Sequence, residues 1–220
     1  QKPTWKYYMR VNTMKADVEE VISLLGGEGM KACMDEKIEE AIYVEGYEEQ
    51  NPSLLDSYVV AKIDAAESCA EGADLYRPGV ISLNNVEPKA AVSIVTEDLT
   101  VAAEGMMVKG LVAKNIKSKY WRPSIHRLKV FNDGLIYPQS YPSLIAVREL
   151  NPMSNEIIID MCASPGGKLS HMVQLTRGKS SIIACDKSHK KIQKIEETFS
   201  RLQLPMPKLI KCDSRFLDLE

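Results

Sequence analysis

Three places in the sequence carry residues that could together bind a small charged molecule. The first is the loop 160–171, D-M-C-A-S-P-G-G-K-L-S-H, which follows the apolar run E-I-I-I. Its paired glycines, Gly166 and Gly167, allow the backbone to approach a ligand closely, and the helix predicted after them offers free N–H groups to an anion. The other two are carboxylates, Asp186 and Asp213, each at the end of a predicted strand. In an open parallel sheet such strand ends form the ligand-binding edge, so we expect these groups to meet there.

The spacing within this loop excludes two common nucleotide-binding motifs. A phosphate-binding Walker A loop requires Gly at the position of Cys162 and Ser or Thr at the position of Leu169, and the sequence has neither. The dinucleotide fingerprint G-x-G-x-x-G is also absent from the sequence, which disfavours the alternative of a nicotinamide-dependent Rossmann enzyme. A smaller anion remains, such as the carboxylate of a methionine moiety.

The two acids extend this pattern to a nucleoside. Asp186, at the end of the second predicted strand, is placed to accept hydrogen bonds from both hydroxyls of a ribose. Asp213, at the end of the third, could accept a hydrogen bond from an adenine amino group. A glycine loop followed by acids at two successive strand ends is the arrangement expected of a binding site for S-adenosylmethionine. The alternative is that both acids merely cap the helices that follow them.

The last third of the chain has the pattern strand–helix–strand–helix–strand. Apolar strands are predicted at 156–161, 181–185 and 208–212. The first helix is predicted at 168–175. The second ends before Pro205, and its apolar face consists of Ile192, Ile195, Phe199 and Leu202. Apolar strands alternating with helices predict a parallel sheet covered on both faces, in an α/β, Rossmann-like fold.

The N-terminal segment, 1–51, predicts a small α+β structure. A short strand at Lys6–Val11 precedes an amphipathic helix, with Asn12 or Thr13 as its cap and Gly26-Gly27 as its stop. The apolar face of this helix follows the i, i+3, i+4, i+7 rule and consists of Val18, Val21, Ile22 and Leu25.

Residues 52–130 predict a β-rich module. Short β-rich pieces at 58–63, Ala91–Val95 and 106–112 are separated by turn signals such as R-P-G and E-P. Several short strands at this spacing are typical of a small barrel or sandwich. The α/β domain then begins at 131 and runs to 220.

The segment 109–129 is basic and contains no acid. Tyr120, Trp121 and His126 lie among its charges. Because Lys and Arg bind phosphates and aromatic rings stack on unpaired bases, this segment suits a folded RNA. The alternative is a solvated loop or an edge strand, where Lys is favoured anyway. The basic residues are Lys109, Lys114, Lys117, Lys119, Arg122, Arg127 and Lys129.

The overall composition is that of a globular protein. The chain has 220 residues, of which 45% are hydrophobic and 26% charged, and its formal net charge is −2. No apolar run approaches the roughly 18–20 residues that a membrane span needs. The five scattered cysteines and three histidines form no metal-ligand spacing. We therefore expect a cytoplasmic protein, monomeric, with no membrane segment and no bound metal.

The glycine loop also carries a family resemblance. Residues 162–168, C-A-S-P-G-G-K, preceded by Asp160 and followed by His171, resemble the C-A-A-P-G-G-K-T-x-H loop of the Sun/NSUN family of RNA cytosine-5 methyltransferases. Residues 139–143, Q-S-Y-P-S, are similar to the family's Q-[ND]-x-x-S stretch. Residues 10–13, R-V-N-T, resemble the R-x-N-T strand end of its RNA-binding subdomain.

A second resemblance lies in the β-rich module. Residues 72–80, G-A-D-L-Y-R-P-G-V, are similar to the G-A-x-V-x-x-P-G-I motif of a PUA domain. Within the family, an inserted PUA module marks the type of the sixth animal member, which acts on tRNA and some messenger RNA. The short connection before Gly72 implies that the PUA-like module is contracted here. Together the two resemblances cover the chain from about Tyr8 to Phe216.

The resemblance implies a role for each matching position. The backbone of 162–167 would hold the methionine part of S-adenosylmethionine, and Lys168 would reach the target cytosine. Asp186, assisted by Lys191, would bind the ribose, and Asp213 the adenine. The implied cofactor-binding set is Cys162, Ala163, Ser164, Pro165, Gly166, Gly167, Lys168, Asp186, Lys191 and Asp213. RNA would be bound by Arg10 and Asn12 together with the basic segment, that is Lys109, Lys114, Lys117, Lys119, Tyr120, Trp121, Arg122, Arg127 and Lys129.

The resemblance also implies catalytic cysteines. The family draws its nucleophile, which attacks C6 of the cytosine, from a D-A-P-C-S-G segment and a later T-C segment. Both lie downstream of the position of Asp213, and neither motif occurs among the 220 residues. We therefore expect an N-terminal portion of a 5-methylcytosine-forming tRNA-modifying enzyme, without transferase activity on its own. The alternative is a truncated, non-catalytic RNA-binding protein.

Overall fold

The computed structural model describes residues 6–45, 49–109, 112–120 and 123–217. These residues form two compact units. The larger combines 6–45 with 124–217, and the smaller consists of the described residues between them. Each unit has its own hydrophobic core.

The strands and helices are numbered along the chain. The strands are β1 (Lys6–Val11), β2 (Ala32–Met34), β3 (Ala41–Glu45), β4 (Tyr58–Ala61), β5 (Val80–Asn84), β6 (Ala91–Val95), β7 (Val101–Met107), β8 (Ala113–Ser118), β9 (Ile136–Pro138), β10 (Ile157–Asp160), β11 (Ser181–Asp186) and β12 (Lys208–Lys211). The helices are α1 (Val18–Gly27), α2 (Ile63–Ala70), α3 (Lys129–Asn132), α4 (Tyr141–Leu150), α5 (Gly167–Leu175) and α6 (His189–Leu202). Short 3₁₀ turns lie at Arg77–Gly79, Ile125–Arg127 and Ser214–Phe216.

The larger unit contains an antiparallel sheet with the strand order β2-β3-β1-β9. Strand β1 has the predicted bounds and lies between β3 and β9. Helix α1 was also predicted, but its N-cap is Asp17 rather than Asn12 or Thr13. The helix begins later because the Asn12 carbonyl accepts the N–H groups of Lys15 and Ala16 in a turn that precedes it.

The second sheet of the larger unit is parallel, with the order β10-β11-β12. Its three strands and the helices α5 and α6 confirm the predicted pattern, with ends that differ by a residue or two. Helices α4, α5 and α6 pack on one face, against a core that includes Ile158, Ile182 and Ala184.

The opposite face of this parallel sheet corrects one prediction. Ile157 is 76% exposed and Ile159 is 42% exposed, so helices do not cover both faces in the described part of the chain. The reason is the strand order, since two successive right-handed crossovers in the same direction place both crossover helices on the same side.

The smaller unit is a single five-stranded sheet, β5-β4-β6-β7-β8, rather than two facing sheets. Strands β4 and β6 are parallel and the other neighbours are antiparallel. Strand β6 has the predicted bounds. The piece predicted at 58–63 is shorter because α2 begins at Ile63, and the piece predicted at 106–112 is wrong, because β7 ends at Met107 and β8 begins at Ala113.

The boundaries of the units differ from the predicted division at 51 and 130. Gln50 donates its backbone N–H to the Lys119 carbonyl (2.7 Å), which ties residue 50 to the smaller unit. Ile125 and Val130 pack in the same core as Met9, on β1, and therefore belong to the larger unit. The N-terminal segment is thus not a separate domain but part of the unit that contains the parallel sheet.

Candidate functional site

The turn between β10 and α5 requires glycine at two consecutive positions. Gly166 has φ +102°, a left-handed conformation that favours glycine. At Gly167, which begins α5, an added Cβ would lie 2.9 Å from Cε1 of Tyr137. The first glycine is therefore needed for backbone conformation, and the second for close approach of β9 to the helix N-terminus.

Asp186 connects this turn to the end of β11. Its carboxylate accepts the backbone N–H groups of Ser164 (3.2 Å) and Lys187 (2.8 Å), and it pairs with Nζ of Lys191 at 3.1 Å. Burial alone would raise the pKa of Asp186, but these donors outweigh burial and lower it below its ordinary value. The N-cap of α6 is Ser188, whose hydroxyl accepts the Lys191 N–H. The alternative that Asp186 merely caps this helix is therefore wrong.

Asp213 behaves differently. It caps the 3₁₀ turn that follows β12 by accepting the backbone N–H of Arg215 (3.2 Å), as the capping alternative held. Its two carboxylate oxygens also accept hydrogen bonds from the Arg215 guanidinium, at 3.0 and 2.6 Å. The Arg215 side chain and backbone donors lower the pKa of Asp213 to about 2. This acid is ionised and carries its own counter-charge.

Both acids line one cavity at the carboxyl edge of the parallel sheet. Its volume is about 320 Å³, and it brings together four of the predicted ligand-binding residues, Cys162, Asp186, Lys191 and Asp213. The remaining lining residues are Met161, Lys187, Cys212, Ser214 and Arg215. The lining contains both carboxylates and cations, which suits a ligand with hydroxyl or amino donors as well as an anionic group.

A second cavity, of about 180 Å³, is lined by most of the turn. Lys168 lines it together with Asp160, so the structure separates Lys168 from Asp186 and Asp213. Cys162 lines both cavities. The other lining residues are Tyr137, Pro138, Gln139, Ser140, Ser143, Ala163, Ser164, Pro165 and Gly167, whereas Gly166 lines neither cavity.

Asp160 is the carboxylate of this second cavity. It accepts the backbone N–H of Cys162 at 3.1 Å. Burial raises the pKa of Asp160, and the hydrogen bond from Cys162 and the positive charge of Lys168 oppose this only partly. Sequence reasoning assigned Asp160 no role. It also missed Tyr137 and Arg215, which carry no sequence signal, whereas Gln139 and Ser143 lie in a stretch already singled out by its resemblance.

The structure contradicts direct RNA contact by Arg10 and Asn12, each of which is 1% exposed. Arg10 donates hydrogen bonds to Gln139, which follows β9, and to Gly167 and Ser170 on α5. The Asn12 amide donates to the carbonyls of Gly134 (3.1 Å) and Leu202 (2.8 Å). Both side chains hold the interior of the larger unit together, and neither presents a surface to an RNA.

The basic segment is divided between the two units. In the smaller unit Lys109 and Lys114 are exposed, whereas Lys117 pairs with Glu104 (3.6 Å) and donates to the Asn51 carbonyl. Lys119 lies over the ring of Tyr120, at 5.9 Å from its centroid. Strand β8, which carries Lys114 and Lys117, is an edge strand, as the alternative interpretation expected. Arg127 and Lys129 belong to the larger unit, and Trp121 and Arg122 lie outside the described residues.

No group of three or more His, Cys, Asp or Glu side chains in the described ranges is arranged to hold a metal ion. None of the helices described above is long and apolar enough to cross a bilayer.

Comparisons with known proteins match the chain to RNA methyltransferases. Residues 147–219 match the family described as 16S rRNA methyltransferase RsmB/F. The tRNA (cytosine(72)-C(5))-methyltransferase of Pyrococcus horikoshii is 36% identical over 236 residues, which cover 99% of this chain and 59% of the relative. The mouse tRNA (cytosine(72)-C(5))-methyltransferase NSUN6 is 34% identical over 97 residues, 44% of this chain and 20% of the relative.

A solved structure gives the same result for the fold. The crystal structure of NSun6 from Pyrococcus horikoshii with SFG superposes with a TM-score of 0.76 at 35% identity, covering 97% of this chain and 59% of that chain. The chain thus spans 59% of the length of the Pyrococcus relative. The chain is thus similar over 99% of its length to a tRNA (cytosine(72)-C(5))-methyltransferase, and its residues 147–219 match the RsmB/F methyltransferase family.

Proposed function

We propose that this chain binds S-adenosylmethionine at the carboxyl edge of its parallel sheet and serves in the methylation of cytosine C5 in RNA. The observation that carries the proposal is the cavity in which Cys162, Asp186 and Asp213 meet at the ends of three successive strands. The related structure with SFG, an analogue of S-adenosylmethionine, supports the same cofactor.

The residues present fit such a cofactor. The N-terminus of α5, whose first residues Gly167 and Lys168 line the second cavity next to Cys162, provides backbone N–H groups for the carboxylate of the methionine part. Asp186, held by Lys191, accepts hydrogen bonds from the ribose hydroxyls. Asp213 accepts one from the adenine amino group and shares its carboxylate with Arg215. When bound, the cofactor supplies the methyl group that is transferred.

The second cavity is the proposed place of the target cytosine. Lys168 lies there beside Asp160, so an ammonium group and a carboxyl group with a raised pKa are both available to a base. Because Cys162 lines both cavities, a base in the second would lie beside a ligand in the first. Lys168 then contacts the base, and the turn 162–167 separates base and nucleoside.

The proposed RNA substrate is tRNA. Two relatives are named as tRNA (cytosine(72)-C(5))-methyltransferases, which supports this substrate class. Exposed Lys109 and Lys114 on the smaller unit offer phosphate contacts.

The smaller unit is proposed to be a contracted PUA module, on the basis of its resemblance at 72–80. The two glycines of that motif have physical roles that support this. Gly72 has φ +99°, and a Cβ at Gly79 would lie 2.6 Å from Cβ of Ala65 on α2.

Calorimetry with the 220-residue chain tests the cofactor part of this proposal. We expect S-adenosylhomocysteine and S-adenosylmethionine to bind with 1:1 stoichiometry, and Asp213→Asn to weaken both. Asp133→Asn is the matched control, because Asp133 is an exposed acid of the same unit that pairs with Lys129 away from the cavity. Absence of binding by the wild-type chain, or equal weakening by both variants, would overturn the proposal. RNA binding without nucleoside binding would favour the non-catalytic alternative.

A further inference from the structure

Arg10 on β1 is a buried cation whose guanidinium points at the start of α5. It donates hydrogen bonds to the Gly167 carbonyl (3.0 Å), to Oγ of Ser170 (2.7 Å) and to Oε1 of Gln139 (3.1 Å). Ser170 in turn donates to the same Gly167 carbonyl at 3.1 Å. A side chain from the N-terminal strand thus holds the first turn of the helix that follows the glycine loop.

No carboxylate of the described residues forms a direct ion pair with Arg10. Its three hydrogen-bond acceptors are uncharged, and its Nε has no partner among the described residues. Burial lowers the pKa of Arg10 to about 9, so the guanidinium is still charged at neutral pH. Placing an arginine in the interior carries a large desolvation cost. A positive charge kept there at such a cost lies next to the segment proposed to bind a carboxylate.

A directional chain of hydrogen bonds fixes the position of Arg10. Gln139 accepts from Arg10 through Oε1, so its Nε2 is free to donate to Nδ1 of His171 (3.5 Å). His171 then donates from Nε2 to Glu40 at 2.5 Å, and Arg148 pairs with the same carboxylate. Each group in this chain has one orientation that satisfies its neighbours, so the guanidinium has little freedom to move away from Gly167.

We infer that Arg10 is a positioning residue for the glycine turn, and that it tunes recognition of the amino-acid portion of the ligand rather than of its nucleoside. It acts through Gly167, by fixing the carbonyl at the start of α5, and through its buried positive charge, which favours a carboxylate at the adjacent helix N-terminus. The inference rests on the proposed function, because it concerns the same ligand.

A neighbouring contact allows this role to be separated from the general attachment of α5 to β1. Gln174, farther along α5, donates to the Val11 carbonyl (3.0 Å) and to Oγ1 of Thr13 (2.9 Å). It therefore joins α5 to the end of β1 as Arg10 does, but away from the glycine turn. Loss of the Gln174 contacts therefore shows how ligand affinity responds when only the attachment of α5 to β1 is weakened.

The test is calorimetric titration of wild type, Ser170→Ala, Arg10→Lys and Gln174→Met with two ligands. S-adenosylhomocysteine carries the amino-acid portion, and 5′-methylthioadenosine lacks both its amino group and its carboxylate. We expect Ser170→Ala to weaken S-adenosylhomocysteine binding by about fivefold and Arg10→Lys by about tenfold or more, since each loses or distorts a hydrogen bond at the turn. Methylthioadenosine affinity should change by less than about twofold, and Gln174→Met should lower the melting temperature without altering either affinity.

Two results would overturn the inference. One is an equal loss of affinity for both ligands in Ser170→Ala and Arg10→Lys. The other is a loss in Gln174→Met as large as that in Ser170→Ala. Should Arg10→Lys fail to fold, Ser170→Ala still decides, because alanine at that position removes only a hydroxyl. If the wild-type chain binds both ligands and the variants lose affinity only for S-adenosylhomocysteine, both the proposed function and this inference are supported. If the wild-type chain binds neither ligand, the proposed function is wrong, and this inference is wrong with it.

Discussion

The carboxylate of Asp186 accepts the backbone N–H of Ser164 at 3.2 Å, so the acid at the end of β11 also holds the glycine turn at the end of β10. A second contact supports it, because Ala163 donates its N–H to the Cys185 carbonyl at 3.1 Å. The turn is therefore docked on the neighbouring strand at two successive residues. Ligand binding at the turn and at Asp186 should consequently be coupled, although they are separate motifs in the sequence.

Substitution Asp186→Asn tests this coupling. Asn keeps the size of the side chain but removes the negative charge that pairs with Lys191. It also replaces one of the two carboxylate oxygens that accept backbone N–H groups with an NH₂ group, which cannot accept. We expect S-adenosylhomocysteine affinity to fall at least about tenfold and stability to fall by about 1–3 kcal/mol, since a buried donor loses its partner. Calorimetry and urea unfolding measure the two effects.

A matched comparison for Asp186 is Asp213→Asn. Asp213 is more exposed and caps only a short 3₁₀ turn, so its replacement should weaken nucleoside binding with little loss of stability. If Asp186→Asn lowers affinity but leaves the unfolding free energy unchanged, the turn is not held by this carboxylate.

The Glu40–His171 contact predicts how stability depends on pH. Burial lowers the pKa of His171 from 6.5 to about 4, so the unfolded state binds a proton at a higher pH than the folded state does. Stability should therefore fall as pH drops from about 6.5 towards 4, by an amount on the order of 2–3 kcal/mol. For Glu40, burial raises the pKa, but hydrogen bonds from His171 and Arg148 outweigh burial and lower it to about 2. Its contribution is present above the ordinary carboxyl pKa and is lost as pH falls towards 2.

The measurement is urea unfolding of wild type and His171→Gln between pH 4 and pH 8. Glutamine can donate to Glu40 and accept from Gln139 but does not titrate, so the loss of stability below pH 6.5 should flatten in this variant. His189→Gln is the control, because His189 is exposed at the start of α6. A slope that persists unchanged in His171→Gln would contradict the assignment.

The two glycines of the turn should respond differently from a helical glycine elsewhere. In Gly167→Ala the added methyl group would lie 2.9 Å from the Tyr137 ring, and overpacking of this kind costs about 1–3 kcal/mol. Gly166→Ala places a side chain at φ +102° and costs about 1–2 kcal/mol. Both variants should also weaken S-adenosylhomocysteine binding, as followed by calorimetry.

Gly26→Ala provides the control for these two variants. Gly26 lies in α1 with nothing within 4 Å of the position of an added Cβ. Alanine there should leave ligand affinity unchanged and stabilise the protein by about 0.5–1 kcal/mol. Equal effects of Gly167→Ala and Gly26→Ala on binding would show that close packing against Tyr137 is not required.

The parallel sheet was predictable because its signals are local. Apolar runs, the glycine turn and Pro205 mark its elements without reference to distant residues. The smaller unit was harder, because β7, V-A-A-E-G-M-M, contains Ala, Gly and Glu, which disfavour strands, and its place is fixed by pairing with β6 and β8. The eight residues of α2 form too short a pattern to predict a helix, and that helix depends on packing against the sheet.

The same distinction holds for the site. Asp186 and Asp213 could be predicted at the cavity because each directly ends or follows a strand, and the carboxyl ends of parallel strands meet at the same edge of the sheet. Tyr137 could not be predicted, since its place beside Gly167 depends on β9 pairing with β1 from the other end of the chain. Arg10 was predicted to bind RNA from the resemblance of R-V-N-T to a strand end of an RNA-binding subdomain, and this pattern does not reveal that Gly167 and Gln139 enclose the side chain.

The basic segment gives a prediction about RNA binding that does not involve the cofactor. Lys114 is exposed on β8, whereas Lys117 on the same strand already pairs with Glu104 and donates to the Asn51 carbonyl. If tRNA phosphates contact this strand, Lys114→Ala should reduce the slope of log affinity against log salt by about 1, and Lys117→Ala by clearly less. Filter binding of a tRNA transcript at several salt concentrations measures both slopes. Identical slopes in wild type and Lys114→Ala would exclude this strand from the interface, and a steeper loss in Lys117→Ala would mean that the Glu104 pair opens when RNA binds.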